Sequence, residues 1–180
     1  MSILKTEWIW QNGRFVKWDE ATVHVTTHAL HYGSSVLEGL RVYGSSNGPA
    51  ILGLDAHIRR LLDSLRIMRM ELPYSPDEVK AAIIETVRCN GLQSCYIRPL
   101  VYKGTGTIGL DAPSASTEMA VFEIEFGQYL GDKALEEGVD AMVNSWRRMA
   151  PDTLAAMSKA GGNYVSFQFI SMEASDLGFA

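Results

Sequence analysis

The sequence predicts an α+β fold, with a small α/β domain over residues 1–130 and, over 131–180, a linker and the first part of a larger second domain. Three observations lead there. Residues 8–54 carry hairpin-type strand patterns. Two well-marked helices and two apolar strands follow, up to residue 126. The chain, at 180 residues and 47% hydrophobic, is long and apolar enough to bury a substantial core.

Taken in order, Trp8-Ile9-Trp10 is strand-like, Asn12-Gly13 is the commonest two-residue hairpin turn, and Arg14-Phe15-Val16 returns. Ala21–Val25 reads as a further short strand. Gly39–Tyr43 and Ala50–Leu54 flank the turn-rich segment GSSNGP and form a second hairpin. Asp55 is placed to cap a helix whose buried stripe is Ile58, Leu61, Leu62, Leu65 and Met68. Ser75-Pro76-Asp77-Glu78 is a capping box with proline at the first helical position. The helix it opens buries Val79, Ala82, Ile83 and Val87 and stops at Asn90-Gly91. Cys95–Tyr102 and Glu118–Phe126 are strands, joined by the long loop KGTGTIGLDAPSAST, a length that usually signals function. FGQYLGD at 126–132 is the interdomain linker, Val139–Trp146 a strand, and Asn163–Leu177 a helix ended by Gly178.

Composition excludes several classes. A formal charge of −5 without a basic block argues against nucleic acid or an anionic membrane as partner. The first residues lack the apolar run of a signal peptide, and no stretch is long enough for a membrane helix, so the expected setting is cytoplasmic. Cys89 and Cys95 match no metal or redox spacing and read as reduced thiols.

Among candidate chemical groups, His24, His28 and His31 are spaced i, i+4, i+7 and would share a face on a helix, as metal ligands could. The β-branched VHVTTHALHYG context instead favours structural histidines in a strand and loop, and no metal is expected. Ser34 and Ser35 lack a nucleophile elbow, and the glycines at 104, 106 and 109 are followed by no helix, so neither a serine hydrolase nor a dinucleotide site is supported. Lys159 lies between small residues that let a flat ligand approach. It reads either as a Schiff-base amine or as an exposed loop lysine. Tyr164 could reach the same ligand. Tyr96 and Arg98 share one face of a strand. An inward Arg needs an anion there, either a structural carboxylate or a substrate's. Arg60, at the edge of its helix's apolar stripe, could bind phosphate or form a surface salt bridge.

Four segments in this order, HALHYGSSVLEGLRVY (28–43), HIRRL (57–61), SCYIRPLVY (94–102) and SKAGGNY (158–164), resemble the branched-chain amino-acid aminotransferases, a group of fold-type IV pyridoxal-phosphate enzymes. The LHYG at 30–33 favours this group over the D-amino-acid aminotransferases and aminodeoxychorismate lyases, which are the alternatives together with a non-catalytic remnant.

The resemblance implies that Lys159 holds pyridoxal 5'-phosphate covalently, that Arg60 binds its phosphate and that Tyr164 hydrogen-bonds its phenolic oxygen. It implies a substrate site lined by Tyr32, Leu37, Gly39, Tyr96, Arg98 and Tyr129. It also places Ile108 and Leu110 in a loop that enters a partner subunit's site, so a homodimer or higher homo-oligomer is expected. The implied reaction moves the amino group between leucine, isoleucine or valine and 2-oxoglutarate, with Arg98 receiving the glutamate side chain. Leu37 stands where the family commonly has Phe, and Phe126 where some members have Trp, which leaves the preference among the three side chains open. The family's members are longer than this chain, so the 180 residues are expected to be a fragment with weak or no activity alone.

Overall fold

The computed structural model describes residues 5–125 and 134–179. Seven strands form one antiparallel sheet: β1 (Trp8–Gln11), β2 (Arg14–Lys17), β3 (Ser35–Leu37), β4 (Leu40–Ser45), β5 (Gly48–Ile51), β6 (Cys95–Lys103) and β7 (Thr117–Ile124). Their order is β2-β1-β7-β6-β4-β5, with β3 also paired to β6. Among the described residues five α-helices accompany them: α1 (His28–Tyr32), α2 (Leu54–Ile67), α3 (Pro76–Asn90), α4 (Ala134–Glu137) and α5 (Tyr164–Asp176). Fold class α+β is thereby met, with α2 and α3 packed together and α3 lying against β1 and β7.

The first hairpin forms as its dipeptide requires. Asn12 (φ +49°) and Gly13 (φ +90°) take the two left-handed positions of a tight turn, which matches the twist of the paired strands. In α3 the Ser75 hydroxyl accepts from Glu78 N–H while the Glu78 carboxylate accepts from Ser75 N–H, and Gly91 ends the helix at φ +70°. Leu61 and Leu65 of α2 and Val79, Ile83 and Val87 of α3 are buried with Ile97, Val101, Met119 and Val121 of the sheet. Each such side chain contributes about 1.5–3 kcal/mol when fully buried.

The central strand β6 positions everything that follows. Its odd residues, Cys95, Ile97 and Val101, are buried in this core, which leaves Tyr96 and Arg98 on the opposite face. Pro99 would be unwelcome in a central strand because it has no N–H to give the ladder. Here the neighbour on one side changes at that point, from β3 opposite Leu100–Tyr102 to β4 opposite Cys95–Ile97. Glu38 and Gly39 occupy the break, and Glu38 N–H donates to Pro99 O at 2.9 Å.

Several local expectations are corrected. Ala21–Val25 is not a strand: His24 Nδ1 bonds Thr26 Oγ1 (2.8 Å) and Thr26 N–H (3.2 Å), and this bend turns the chain into α1. His28 and His31 lie in α1, one turn of helix closed by Gly33 (φ +64°), rather than in a strand and loop. The second hairpin is tighter than expected, with β4 running to Ser45 and β5 starting at Gly48, and Leu54 belongs to α2. Gly53, not Asp55, is the N-cap of α2; Asp55 sits one residue inside Leu54 and pairs with Lys80 at 2.7 Å. Val139–Trp146 forms no strand, because no strand among the described residues lies beside it to complete a ladder. Strand β7 ends at Ile124. Phe126, Tyr129 and the expected linker at 126–132 lie outside the described residues. Cys89 and Cys95 are both free thiols.

Candidate active site

Lys159 is fixed by its backbone before its side chain matters. Its N–H donates to the buried Ser64 hydroxyl of α2 (3.0 Å), and its carbonyl accepts from Leu37 N–H (3.0 Å). Ala160 bridges to Val36 of β3. Asn163 closes the segment by donating to the carbonyls of Ala155 (3.0 Å) and Ser158 (3.2 Å). The small neighbours matter because the backbones touch: a Cβ on Gly33 would come within 2.7 Å of Gly162 Cα, and one on Gly161 would overlap the Ser35 hydroxyl. Held in this way, Lys159 Nζ donates to the Tyr164 hydroxyl at 2.7 Å, at the first turn of α5.

Across the same cleft, of about 320 Å³, stands Arg60 of α2; Arg148, Asn163 and Phe167 are also on its wall. Glu38 presents both carboxylate oxygens to Arg60, Oε1 to Nε at 2.5 Å and Oε2 to Nη2 at 2.6 Å. Glu38 Oε2 also meets His57 Nδ1 at 2.9 Å and Gly39 N–H at 3.2 Å. Burial alone would raise the Glu38 pKa, but hydrogen bonds from Arg60 and His57 outweigh it and hold the carboxyl below its ordinary range. Glu38 in turn stabilises charged Arg60, and Tyr164 and Tyr96 lie close enough to reinforce this. The Arg60 side chain remains 55% exposed against 1% for Glu38. One end of the guanidinium is therefore fixed in the protein while Nη1 has no partner among the described residues.

Arg98 Nη2 donates to the Tyr96 hydroxyl at 2.8 Å, as their shared strand face predicted. Arg98 Nε is buried without a hydrogen-bond partner, the one buried guanidinium nitrogen so left among the described residues. Gly39 lies against Tyr96 so closely that a Cβ there would overlap the phenol oxygen. These donors fit a phosphorylated aldehyde cofactor and a carboxylate substrate: a primary amine, an adjacent phenol, a half-held guanidinium and an unsatisfied second arginine.

The structure thus brings Arg60, Lys159 and Tyr164 into one cleft, with Tyr96, Arg98 and Gly39 adjoining Glu38. Leu37 meets Lys159 through its backbone, but its side chain is buried and does not line the cleft. Tyr32, Ile108 and Leu110 form a separate group. The Tyr32 hydroxyl donates to Ile108 O, and His28 Nε2 bonds Gly109 O at 3.0 Å while its Nδ1 meets the Ser34 hydroxyl at 2.6 Å. Ile108 and Leu110 are 60% and 83% exposed. Glu38, His57 and Arg148 were not singled out in the sequence, although a glutamate inside the apolar run VLEGL signals a carboxylate that must find a partner.

The amino-transferase class IV family matches residues 35–179, and the chain belongs to that family. It is 44% identical over 180 residues to the branched-chain-amino-acid aminotransferase of Escherichia coli K12, covering 99% of this chain and 58% of that protein. The crystal structure of the Escherichia coli branched-chain amino acid aminotransferase superposes with a TM-score of 0.94 at 45% identity, over 97% of this chain and 58% of the other. The branched-chain amino acid aminotransferase of T.th., solved with pyridoxamine 5'-phosphate, gives a TM-score of 0.93 at 42% identity, over 98% and 58%. The chain therefore spans little more than half the length of these relatives.

Proposed function

We propose that the chain forms the front part of a pyridoxal-phosphate-dependent transaminase that exchanges the amino group between branched-chain L-amino acids and 2-oxoglutarate. The observation that carries this reading is the Lys159 Nζ to Tyr164 hydroxyl contact in a cleft shared with Arg60. Relatives named for this activity, one of them solved with pyridoxamine 5'-phosphate, support it.

On this reading Lys159, Tyr164 and Arg60 hold the cofactor. When bound, it supplies an electron sink for the pair left behind as the substrate loses its Cα proton. Lys159 would be the base in reach: with its backbone fixed by Ser64 and Leu37, its Nζ would accept the substrate's Cα proton and, as the ammonium, give it back in the course of the amino transfer. Tyr164 orients that amine. Arg60, braced by Glu38, offers the N–H groups left over from its fork to the phosphate. Arg98 and the Tyr96 hydroxyl receive a carboxylate, which satisfies the orphaned Nε. The exposed Tyr32, Ile108 and Leu110 supply the pocket of a second subunit in a homodimer. Residues 1–130 are then the small domain, and 131–180 the linker and the first part of the larger one. The reading places the protein in the cytoplasm, and no helix among the described residues is long and apolar enough to cross a membrane.

Adding pyridoxal phosphate to the protein should produce a visible absorbance band that is lost in Lys159→Ala. An unchanged band in that variant would sink the assignment. In a full-length protein carrying these residues, amino transfer from L-leucine, but not D-alanine, to 2-oxoglutarate separates this reading from its D-specific relatives.

A further inference from the structure

A second cavity lies where the chain leaves α2, against the end of β6 and the start of β7. It encloses about 540 Å³, and its walls include Arg69, Lys103, Glu71, Leu72, Pro73 and Pro113. Three features set it apart from a surface dent.

First, Lys103 is a buried cation without a counter-ion. The residue is only 6% exposed, and its ammonium donates to Ala115 O (2.9 Å) and Thr117 Oγ1 (3.0 Å), both uncharged. Among the described residues no carboxylate lies within salt-bridge distance of it. A buried ammonium is costly unless paired, and an anion in the adjoining cavity would pair it.

Second, Arg69 stands where the backbone calls for another residue. It closes α2 at φ +52°, with Met70 N–H reaching back to Leu65 O. That left-handed position usually belongs to glycine, because a side chain there is strained. The strained arginine places on the cavity wall a second cation that has no ion-pair partner among the described residues. Its sequence neighbour Arg66 is instead paired with Asp63 on the helix surface.

Third, part of the remaining wall is apolar. Leu72, Pro73 and Pro113 give a surface that suits hydrocarbon, and the volume exceeds what an inorganic ion fills.

We propose that this cavity is a binding site for a small organic carboxylate with a compact apolar body. The carboxylate lies between Lys103 and Arg69, and the body rests on Leu72, Pro73 and Pro113. Glu71, the one carboxylate on the wall, opposes the ligand and limits its affinity. The site is distinct from the Lys159 cleft and shares no lining residue with it.

Benzoate serves as the probe, with benzyl alcohol as its neutral counterpart and inorganic phosphate as an anion without an apolar body, each titrated into isotope-labelled protein and followed by backbone amide shifts. Benzoate should saturably shift the amides of Arg69, Leu72, Lys103 and Thr117, and the other two should not. Arg69→Gly should weaken benzoate by about tenfold, as should Lys103→Met, while Glu71→Gln should tighten it. Arg69→Gly also relieves the backbone strain, so it stays folded and decides the matter even where Lys103→Met does not fold. Shifts confined to Arg60, Tyr96 and Arg98, equal binding of benzyl alcohol or phosphate, or undiminished binding in Arg69→Gly would each overturn the proposal.

Discussion

Glu38 holds Arg60 by two parallel hydrogen bonds, Oε1 to Nε and Oε2 to Nη2, from the break between β3 and β4 to the exposed face of α2. The fork fixes the plane of the guanidinium, and that plane sets where its remaining N–H groups point. Glu38→Gln keeps the shape but removes the charge and replaces one acceptor oxygen with a donor amide. We expect pyridoxal phosphate to bind about tenfold more weakly, since one lost charge-assisted contact costs about 1.5–3 kcal/mol. Half-exposed Arg60 stays hydrated, so thermal stability should fall far less than for a fully buried pair. A cofactor titration beside a melting curve distinguishes the two effects.

Gly39 tests the substrate side. An alanine there must displace the Tyr96 phenol, and with it the hydroxyl that Arg98 Nη2 bonds. Gly39→Ala should raise KM for both amino donors severalfold in a complete enzyme while leaving cofactor absorbance intact. Loss of the absorbance band as well would show that Tyr96 supports the cofactor instead.

Gly33 tests the packing beneath the lysine. It combines φ +64° with a 2.7 Å approach of any added Cβ to Gly162 Cα. Gly33→Ala should cost about 2 kcal/mol or more in a denaturant titration, the sum of left-handed strain and overpacking. The same substitution at Gly91, where φ is +70° but nothing lies within 4 Å, should cost only the strain.

Glu123 gives a pH dependence. Burial pushes its carboxyl up to about 7, against the weaker opposing hydrogen bonds of Cys95 and Asn90, and its Oε2 has no partner. The folded state therefore holds this proton more tightly than the unfolded chain does. Its contribution to stability is full below about pH 4.5 and is lost as pH rises to about 7. Glu123→Gln should flatten that slope and raise stability at pH 8, measured as the urea midpoint across pH 4 to 8. An unchanged slope would mean the carboxylate ionises at no cost.

What could be read in advance follows from range. Asn12-Gly13 and Ser75 to Glu78 act within four residues, so composition and spacing reveal them. Tyr96 and Arg98 needed only the alternation of one strand. Ala21–Val25 and Val139–Trp146 have strand-like side chains, but a strand is a pairing, and nothing in either segment says whether a partner exists. Glu38, His57 and Arg60 meet across 19 and 22 positions of chain. Only the odd charge in VLEGL hinted at that junction. Lys103, at the end of IRPLVYK, and Glu123, inside AVFEIE, carry the same hint: a charge in an apolar run marks a debt that tertiary structure settles. The separation of Tyr32, Ile108 and Leu110 from the lysine cleft depends on how α1 and the long loop pack, which no local pattern encodes.

The contact of Gly33 with Gly162 has a mechanical consequence. Main chain rests on main chain there, with Gly162 N–H donating to Gly33 O at 3.1 Å, so no rotamer can yield to take up a shift. A push on the exposed end of α1 reaches the Lys159 segment as displacement rather than as side-chain repacking. The joint behaves as a stiff strut between the outward-facing Tyr32 and the Lys159 segment, and it leaves the side chains at both ends free to vary without loosening the alignment between them.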